Sequence, residues 1–270
     1  MATTSPASGT PGTSAASGAP APWVIDETAH AGPEHLDAAF VAGFDRKQGY
    51  PDPAPDVAAL RRHGVGPDAT VVDLGAGTGR FALAAAREFA RVVAVDISPA
   101  MVEHLRARAA GAGAANVECV RAGFLGYQHT GPPADAVHTR HALHQLPDFW
   151  KALALDRIAR MLRPGGVLRL RDLVFDFRPE EAGSVLEEWM DGAADDPERG
   201  YTREDYAEHL RTEHSTFRWL LEPMLEATGF EIVEAEYEGR LFGTYTCVRR
   251  PPSGPPDPAA GPDAPQEEAG

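Results

Sequence analysis

Residues 70–79 have the sequence Thr-Val-Val-Asp-Leu-Gly-Ala-Gly-Thr-Gly, in which an apolar run leads into three alternating glycines. The apolar run predicts a buried strand over residues 70–74, and the pattern of residues 80–89 predicts a helix directly after the glycines. Glycine tolerates positive φ and has no Cβ, so this turn lets the backbone approach a ligand closely. The free N–H groups at the start of the helix point toward the same place. The stretch therefore predicts a strand, a ligand-binding turn and a helix.

A second predicted strand, residues 91–96, follows this helix and ends in Asp96. In dinucleotide-binding folds, an acidic residue at the end of the second strand accepts hydrogen bonds from the ribose hydroxyls. The position of Asp96 therefore predicts a ligand that carries a ribose.

Three ligand classes compete for the glycine turn. A phosphate loop of the Walker type requires Gly-Lys-Ser/Thr, whereas Gly79 is followed by Arg80 and Phe81. A nicotinamide or flavin fingerprint requires its third glycine at the position that Arg80 occupies. The closer Gly-x-Gly-x-Gly spacing, with Asp73 just upstream, is similar to motif I of the class I S-adenosylmethionine (SAM) methyltransferases.

Further motifs in the family's order resemble the same proteins, and the resemblance covers roughly residues 40–248. Leu-Arg-Pro-Gly-Gly at residues 162–166 resembles the family's connection from a helix into its fifth strand. Ala-Leu-His-Gln-Leu-Pro-Asp at residues 142–148 resembles its motif IV loop. Both segments resemble the branch of small-molecule methyltransferases that includes those of ubiquinone and menaquinone biosynthesis.

The resemblance implies one α/β domain with a Rossmann-like sheet of seven strands in the order 3-2-1-4-5-7-6, strand 7 being antiparallel. Right-handed crossovers enforce the parallel part. Helices are expected on both faces, because nearly continuous apolar strands suit a sheet that is covered on both sides. The predicted strands span residues 70–74, 91–96, 117–120, 135–140, 167–172, 230–237 and 240–248.

The composition divides the chain further. Residues 1–22 and 251–270 lack apolar periodicity and are rich in small residues and proline, so both are predicted to be disordered tails. Residues 23–66 are predicted to form a helical cap, and residues 67–248 the SAM-binding domain. Within that domain the acidic segment 177–216 is predicted to be a lid insert, because ligands of open α/β sheets bind outside the carboxyl ends of the strands.

The resemblance implies SAM as the cofactor, with its methionine end over the glycine turn, its ribose at Asp96 and its adenine near Gly123. Related proteins carry an acid or amide at the position of Gly123 that binds the adenine amino group. Glycine offers no such side chain, so Phe124 or the backbone is expected to contact the ring. The predicted cofactor residues are Asp73, Gly75, Ala76, Gly77, Thr78, Gly79, Asp96, Ile97, Met101, Gly123, Phe124 and Arg140.

Two histidines on the loop after the fourth predicted strand, His141 and His144, are the candidate catalytic residues. Methyl transfer from a sulfonium is an in-line displacement, so the protein mainly aligns the reactants and excludes water. A histidine base is needed only if the nucleophile carries a proton of high pKa. A structural role competes with catalysis for both, and more strongly for His144. The spacing of His209, Glu213 and His214 is typical of a solvated helix face, so no metal site is predicted.

The implied function is SAM-dependent methylation of a small organic acceptor at O, N or C. The lid segments are expected to hold this acceptor near Tyr50, His141, Asp172 and Trp189. Two alternatives remain: an aminopropyl transferase that uses decarboxylated SAM, and a SAM-binding regulatory protein without catalysis.

The net charge and the cysteine content indicate which partners and which cellular location to expect. A net charge of −15 and only two lysines argue against a nucleic-acid partner, since nucleic-acid binding rests on neutralising phosphates. The sequence has no apolar run of the roughly 18 residues that a membrane span requires, and no secretory signal is indicated. Cys119 and Cys247 lie in predicted strands and are expected to be reduced, so the protein is expected in the cytoplasm. The sequence leaves the oligomeric state open.

Overall fold

The computed structural model describes residues 21–251, so nearly all of both predicted tails lies outside the described part of the chain. The strands are β1 (Thr70–Leu74), β2 (Arg91–Asp96), β3 (Val117–Arg121), β4 (Ala134–Arg140), β5 (Leu162–Phe175), β6 (Thr216–Phe217), β7 (Phe230–Glu238) and β8 (Phe242–Arg249). The α-helices are α1 (Ala38–Lys47), α2 (Ala54–Arg62), α3 (Arg80–Ala85), α4 (Pro99–Gly111), α5 (Asp148–Met161), α6 (Ala182–Asp191), α7 (Arg203–Thr212) and α8 (Arg218–Ala227). Short 3₁₀ helices, Glu27–His30 and Pro33–Leu36, precede α1.

The order along the sheet is β3-β2-β1-β4-β5-β8-β7, and β8 runs antiparallel to both β5 and β7. This confirms the predicted Rossmann-like sheet with its antiparallel strand. The one addition is β6, a two-residue strand that pairs in parallel with the end of β5 and moves the number of each later strand up by one.

The central strand β1 determines where a ligand can bind. The chain continues from β1 to β2 on one side and later returns to β4 on the other, so the sheet has its topological switch point at β1. Leu74 pairs with Val95 of β2 and with Thr139 of β4. Because these three strands are parallel, the residues that follow Leu74, Val95 and Thr139 meet at one edge of the sheet.

Apolar layers cover both faces of the sheet. One layer contains residues of α5 and α8, and the other contains residues of α2, α3 and α4. The adjacent residues Val71 and Val72 of β1 are both fully buried, one in each layer. This two-sided burial explains the nearly continuous apolar sequence of β1 and β2. Both cysteines are free thiols, Cys119 in β3 and Cys247 in β8.

The helix after the glycine turn is shorter than the sequence predicts, since α3 ends at Ala85 rather than near residue 89. Arg87 and Glu88 donate backbone hydrogen bonds to carbonyls three residues back, which tightens the chain into a turn. The predicted lid insert, residues 177–216, contains α6 and α7. Between residues 21 and 251, no helix combines the length and the apolar character that a membrane crossing needs.

Candidate active site

A cleft opens at the carboxyl edge of β1, β2 and β4, and residues of the N-terminal segment form another of its walls. It encloses about 1160 Å³, including the space at its open mouth. The predicted cofactor residues that line it come from the ends of four strands and from α4; they are Asp73, Gly75, Ala76, Gly77, Thr78, Asp96, Ile97, Met101, Gly123, Phe124 and Arg140. Gly79 is the exception, because it lies behind the turn, where a Cβ would come within 2.7 Å of Leu105 Cγ.

The glycines of the turn have different tasks. Gly75 has a φ of 69°, and a Cβ there would lie 2.3 Å from the Cβ of Ala142, so close packing against the motif IV loop requires glycine. Gly77 has a φ of 52°, and a Cβ there would meet nothing closer than a ring carbon of Phe44 at 3.8 Å. The space next to Gly77 is therefore open toward the cleft, where the backbone can approach a ligand.

Asp96 is buried at the end of β2 and holds the turn in shape. One carboxylate oxygen accepts a hydrogen bond from the Gly77 amide at 2.8 Å, and the other accepts one from the Ser98 amide at 2.9 Å. Burial raises the pKa of Asp96, and these two amide hydrogen bonds oppose that shift. Each carboxylate oxygen keeps a second lone pair with which it can accept a hydrogen bond from a ribose hydroxyl.

Asp73 offers the cleft an unused acceptor. Its Oδ1 lies 2.8 Å from Nδ1 of His138 in β4, whereas its buried Oδ2 has no hydrogen-bond partner among the described residues. A buried carboxylate oxygen without a partner is costly, so a cationic or N–H-bearing ligand group is expected to fill this position. An amino group, such as that of a methionine moiety, meets this requirement.

A buried charged network fixes the orientation of Asp73. Asp56 of α2 lies 3.6 Å from Nε2 of His138 and accepts a hydrogen bond from Nε of Arg169 at 2.8 Å. Burial alone would lower the pKa of His138, but its contacts with Asp56 and Asp73 raise it. Burial alone would raise the pKa of Asp56, but His138 and then Arg169 lower it. The Phe81 ring stacks on the His138 ring with centroids 3.6 Å apart. Sequence patterns did not identify this network.

Glu27, in the 3₁₀ helix Glu27–His30, lines the cleft, although no pattern in the sequence indicates it. Its Oε1 accepts hydrogen bonds from the amides of Leu125 and Gly126, each at 3.0 Å. A Cβ built on Gly123 would lie 2.3 Å from Oε2 of Glu27. The Glu27 carboxylate therefore stands where a side chain at position 123 would project. Burial raises the pKa of Glu27, against the effect of the backbone hydrogen bonds.

Asp45 joins the N-terminal cap to the glycine turn. Its carboxylate accepts a hydrogen bond from the hydroxyl of Thr78 and another, at 2.9 Å, from Arg108 of α4. Arg80 lies 3.4 Å from the same carboxylate. The Asp45 side chain is 19% exposed, so these contacts are partly shielded from water. These contacts hold α1 next to the residues that are predicted to bind the methionine end of SAM.

His141, between the end of β4 and the motif IV loop, lines the cleft. It has a φ of 49°, a left-handed conformation that is uncommon outside glycine, and its amide donates to the carbonyl of Arg171 at 2.8 Å. Its buried Nε2 has no hydrogen-bond partner among residues 21–251. Burial lowers the pKa of His141 to about 3, and Arg140 adds to this effect against the opposing charge of Asp172. The imidazole is therefore neutral at pH 7.

We expect the neutral state of His141 to make the protein sensitive to acid below about pH 6.5. The unfolded chain takes up a proton near its ordinary pKa of about 6.5, while the folded state, with a pKa of about 3, does not. The free energy of unfolding should fall by about 1–2 kcal/mol between pH 7 and pH 5 from this residue, after discounting for its partial exposure. His144, with its raised pKa, has a smaller effect of the opposite sign, because its folded state is already protonated while the unfolded chain takes up its proton near pH 6.5.

Urea unfolding at pH 7 and pH 5 measures this dependence. His141→Asn should show a shallower loss of stability than the wild type over this interval. His214→Gln is a partial control, because burial also lowers the pKa of His214 but this side chain is more exposed. Equal slopes for the wild type and His141→Asn would contradict the assignment of a neutral His141.

His144 lies behind the cleft wall rather than in it. Its Nδ1 pairs with Oδ1 of Asp172, and its Nε2 lies 2.8 Å from the Glu213 carboxylate. Burial alone would lower the pKa of His144, but the charge and hydrogen bond of Asp172, together with the nearby Glu213 carboxylate, raise it to about 10. A histidine that holds its proton this firmly cannot serve as the base for an acceptor in the cleft. The geometry therefore favours a structural role for His144.

Three of the four residues expected next to the acceptor lie elsewhere. Tyr50 is 58% exposed, and its ring faces the guanidinium of Arg80. Asp172 is buried against His144, and Trp189 stacks on Tyr206 with ring centroids 4.3 Å apart. Of the four, only His141 lines the cleft. No residue of the insert, residues 177–216, lines this cleft; Trp189 packs with Phe175 and Val185, and the Tyr201 ring lies under Lys47 of α1.

Residues 71–166 match the protein family described as a methyltransferase domain. The magnesium protoporphyrin IX methyltransferase of Synechocystis PCC 6803, solved with bound SAM, superposes with a TM-score of 0.57 at 17% identity, covering 84% of this chain and 99% of that one. Residues 71–166 thus match a methyltransferase domain, and the fold is that of a solved methyltransferase. The cleft described above lies at the carboxyl edge of this domain's sheet, and Asp73, Asp96 and the glycine turn all belong to the matched segment.

Curated relatives share the domain at moderate identity. The secondary metabolism regulator laeA of Coprinopsis cinerea is 31% identical over 145 residues, which are 53% of this chain and 33% of that protein. The arsenite methyltransferase of Halobacterium salinarum is 34% identical over 162 residues, which are 55% of this chain and 38% of that protein. The chain thus matches 33% and 38% of the length of these two relatives.

Proposed function

We propose that the protein transfers a methyl group from SAM to a small organic acceptor. The observation that carries the proposal is the order of polar groups along the cleft. Arg140 ends β4, Asp73 lies in β1, Asp96 ends β2, and Glu27 lies beside the residues after β3. An amino acid, a ribose and an adenine follow one another in SAM, and this row presents a matching group to each in the same order.

The amino-acid end of SAM would interact with Asp73 and Arg140. The free Oδ2 of Asp73 accepts a hydrogen bond from the ammonium group, and the guanidinium of Arg140 attracts the carboxylate. Decarboxylated SAM lacks this carboxylate, so Arg140 favours SAM over the aminopropyl donor. S-adenosylhomocysteine and methylthioadenosine differ in the amino-acid portion. Arg140→Gln should therefore weaken the binding of S-adenosylhomocysteine and leave the binding of methylthioadenosine unchanged.

The nucleoside end would interact with Asp96 and Glu27. Asp96 accepts hydrogen bonds from the ribose hydroxyls through lone pairs that the Gly77 and Ser98 amides leave free. Glu27 accepts a hydrogen bond from the adenine amino group, in place of the side chain that Gly123 lacks. Phe124 lines the same part of the cleft and provides an apolar contact for the ring.

His141 would position the acceptor rather than deprotonate it. With its pKa lowered to about 3, the imidazole is a weak base. Its free Nε2 can still accept a hydrogen bond from a hydroxyl or amine group of the molecule to be methylated. Holding the nucleophile in line with the sulfonium is the main contribution that a methyltransferase makes to the displacement.

The acceptor we favour is a small organic molecule of the kind handled by the ubiquinone and menaquinone branch, to which the motif IV loop is similar. Arsenic(III) binds soft thiolates, and neither Cys119 nor Cys247 lines the cleft, so arsenite methylation is not supported. The net charge of −15 disfavours a nucleic-acid acceptor, and the two free thiols favour a cytoplasmic location.

The test is transfer of a labelled methyl group. The purified protein is incubated with SAM carrying an isotopically labelled methyl group and a small-molecule extract, and products are separated by mass. A labelled small product that the Asp73→Asn variant does not form supports the proposal. Tight binding of S-adenosylhomocysteine without any labelled product would instead favour the regulatory alternative, which the similarity to laeA suggests.

The insert at residues 177–216 is proposed to act as a gate, because it contacts the cap that covers the cleft. Lys47 of α1 lies 3.2 Å from Asp205, Gln48 donates to the hydroxyl of Tyr201 at 3.1 Å, and Arg46 pairs with Glu198 at 2.6 Å. These are exposed or half-buried polar contacts, each of which stabilises the closed state only modestly. They can therefore break and re-form as a ligand enters.

Hydrogen exchange with and without S-adenosylhomocysteine measures this motion. We expect residues 177–216 to exchange faster than β1 and to slow when the ligand binds. A Lys47→Ala variant should exchange faster in the insert, and Arg178→Ala, on an exposed side chain of the same insert, is the control. Exchange as slow as that of the strands, with no response to ligand, would show that the insert is a static part of the fold.

A further inference from the structure

Three possible metal ligands converge where the insert meets the motif IV loop. The Glu213 Oε2 atom lies 2.8 Å from His144 Nε2 and 2.5 Å from His209 Nδ1. All three atoms lie within 4.8 Å of one another. The sequence did not link these residues, because His144 is distant in the chain and His214, the other histidine considered beside them, faces His30 instead.

In both histidines, the ring nitrogen that points away from Glu213 already contacts an oxygen atom. Nδ1 of His144 pairs with the Asp172 carboxylate, and Nε2 of His209 lies 2.8 Å from the hydroxyl of Ser215. Metal-binding histidines in proteins characteristically have their second ring nitrogen bonded to a carboxylate or another oxygen, which fixes the ring and leaves the first nitrogen for the metal. Both histidines therefore have the orientation that ligation requires.

Hydrogen bonding does not account for the centre of this cluster. The buried Oε2 of Glu213 has no partner of acceptable hydrogen-bond geometry within the described chain, although two imidazole nitrogens are close to it. The side chains of His144, His209 and Glu213 are only 6%, 13% and 15% exposed. Converging lone pairs at a shielded point, without aligned hydrogen bonds, are the arrangement expected around a cation.

The charge of the cluster also favours a cation. Asp172 and Glu213 bring two carboxylates, and their ion pairs within residues 21–251 are all with histidine rather than with lysine or arginine. A divalent cation between the two imidazoles would balance these two carboxylates, and histidine ligates a metal in its neutral form.

We propose that His144 Nε2, His209 Nδ1 and the Glu213 carboxylate bind one divalent first-row transition metal ion. Two imidazoles and one carboxylate suit Zn²⁺, Fe²⁺ or Co²⁺, whereas Mg²⁺ prefers oxygen ligands. Gln145 Nε2 lies 3.2 Å from His144 Nε2, and a reversed amide would present its oxygen at the same place. The ion ties the insert to the loop that carries His141. This site does not depend on SAM binding, so it can fail or succeed independently of the proposed function.

The experiment uses the full-length protein after dialysis against EDTA. Zn²⁺ is titrated by calorimetry in two buffers of different ionisation enthalpy, and metal content is measured after gel filtration. We expect one Zn²⁺ per chain, with protons released on binding. Glu213→Gln and His209→Gln should each weaken binding at least about a hundredfold, and Asp172→Asn about ten- to a hundredfold. The matched controls are His214→Gln, whose ring faces His30, and Glu208→Gln, an exposed acid of α7; both should bind as the wild type does.

Co²⁺ substitution of the wild type keeps the test independent of how the variants fold. A visible ligand-field spectrum typical of nitrogen and oxygen ligands, removed by adding Zn²⁺, supports the site. The proposal is wrong if the EDTA-treated wild type binds neither Zn²⁺ nor Co²⁺. It is equally wrong if it binds only Mg²⁺, or if folded Glu213→Gln and His209→Gln proteins bind Zn²⁺ as tightly as the controls.

Discussion

Replacing Asp96 by alanine should weaken the binding of S-adenosylhomocysteine about a hundredfold. The carboxylate is expected to accept hydrogen bonds from the ribose, and hydrogen bonds to a charged group contribute about 1.5–3 kcal/mol. The same carboxylate accepts the Gly77 and Ser98 amide hydrogen bonds, so its loss also relaxes the turn that the methionine end of the ligand contacts. The effect should therefore lie at the upper end of this range.

Calorimetric titration of the variant and the wild type measures this difference. Glu103→Ala is the matched control, because this acid lies exposed on α4, close in sequence to Asp96. The control should bind with wild-type affinity. If Asp96→Ala binds S-adenosylhomocysteine within about threefold of the wild type while remaining folded, Asp96 does not bind the ribose.

The second large effect is expected at Glu27. Glu27→Ala should weaken S-adenosylhomocysteine binding about ten- to a hundredfold, since it removes the acceptor for the adenine amino group. It should also abolish discrimination against the inosine analogue, in which an oxygen replaces that amino group. The wild type should prefer the adenosine ligand strongly, because the carbonyl of the analogue would face the Glu27 carboxylate.

Moving the carboxylate from position 27 to position 123 makes this test more specific. Gly123→Asp alone should bind poorly, because its Cβ would lie 2.3 Å from the Glu27 carboxylate. In the Glu27→Ala background that space is free, and φ at Gly123 is not positive, so an aspartate there can supply the missing acceptor. The double variant should recover a substantial part of the affinity and of the preference for adenine. Glu34→Ala, an acid in the next 3₁₀ helix, is the control. A double variant no better than Glu27→Ala would show that Glu27 does not bind adenine.

The sheet and the glycine turn could be predicted because their signals are local. A continuous apolar run such as residues 70–74 must be buried on both sides, and the spacing of Gly75 and Gly77 limits what can follow it. The strand-end position of Asp96 is likewise visible within a short window of sequence. Such features depend on neighbours in the chain, and the pattern of residues records them directly.

The residues that the sequence did not identify depend on contacts between distant segments. Glu27 reaches the space beside Gly123 only because the N-terminal segment crosses the ends of the strands. The histidine in the middle of β4 gave one usable signal, because a buried polar residue in an apolar strand requires a partner. Its partners, Asp56 and Asp73, come from different elements, so spacing could not name them. Tyr50, which the sequence places near the acceptor, is instead exposed, because the course of the cap depends on contacts that the local pattern does not show.

One titration tests the central claim, that the cleft at the end of β1 is a SAM site, most directly. Purified protein is titrated by calorimetry with S-adenosylhomocysteine and, separately, with NADH, which shares the adenosine portion but carries a pyrophosphate. The account predicts one S-adenosylhomocysteine bound per chain and no measurable binding of NADH. Tight binding of NADH without binding of S-adenosylhomocysteine would contradict it.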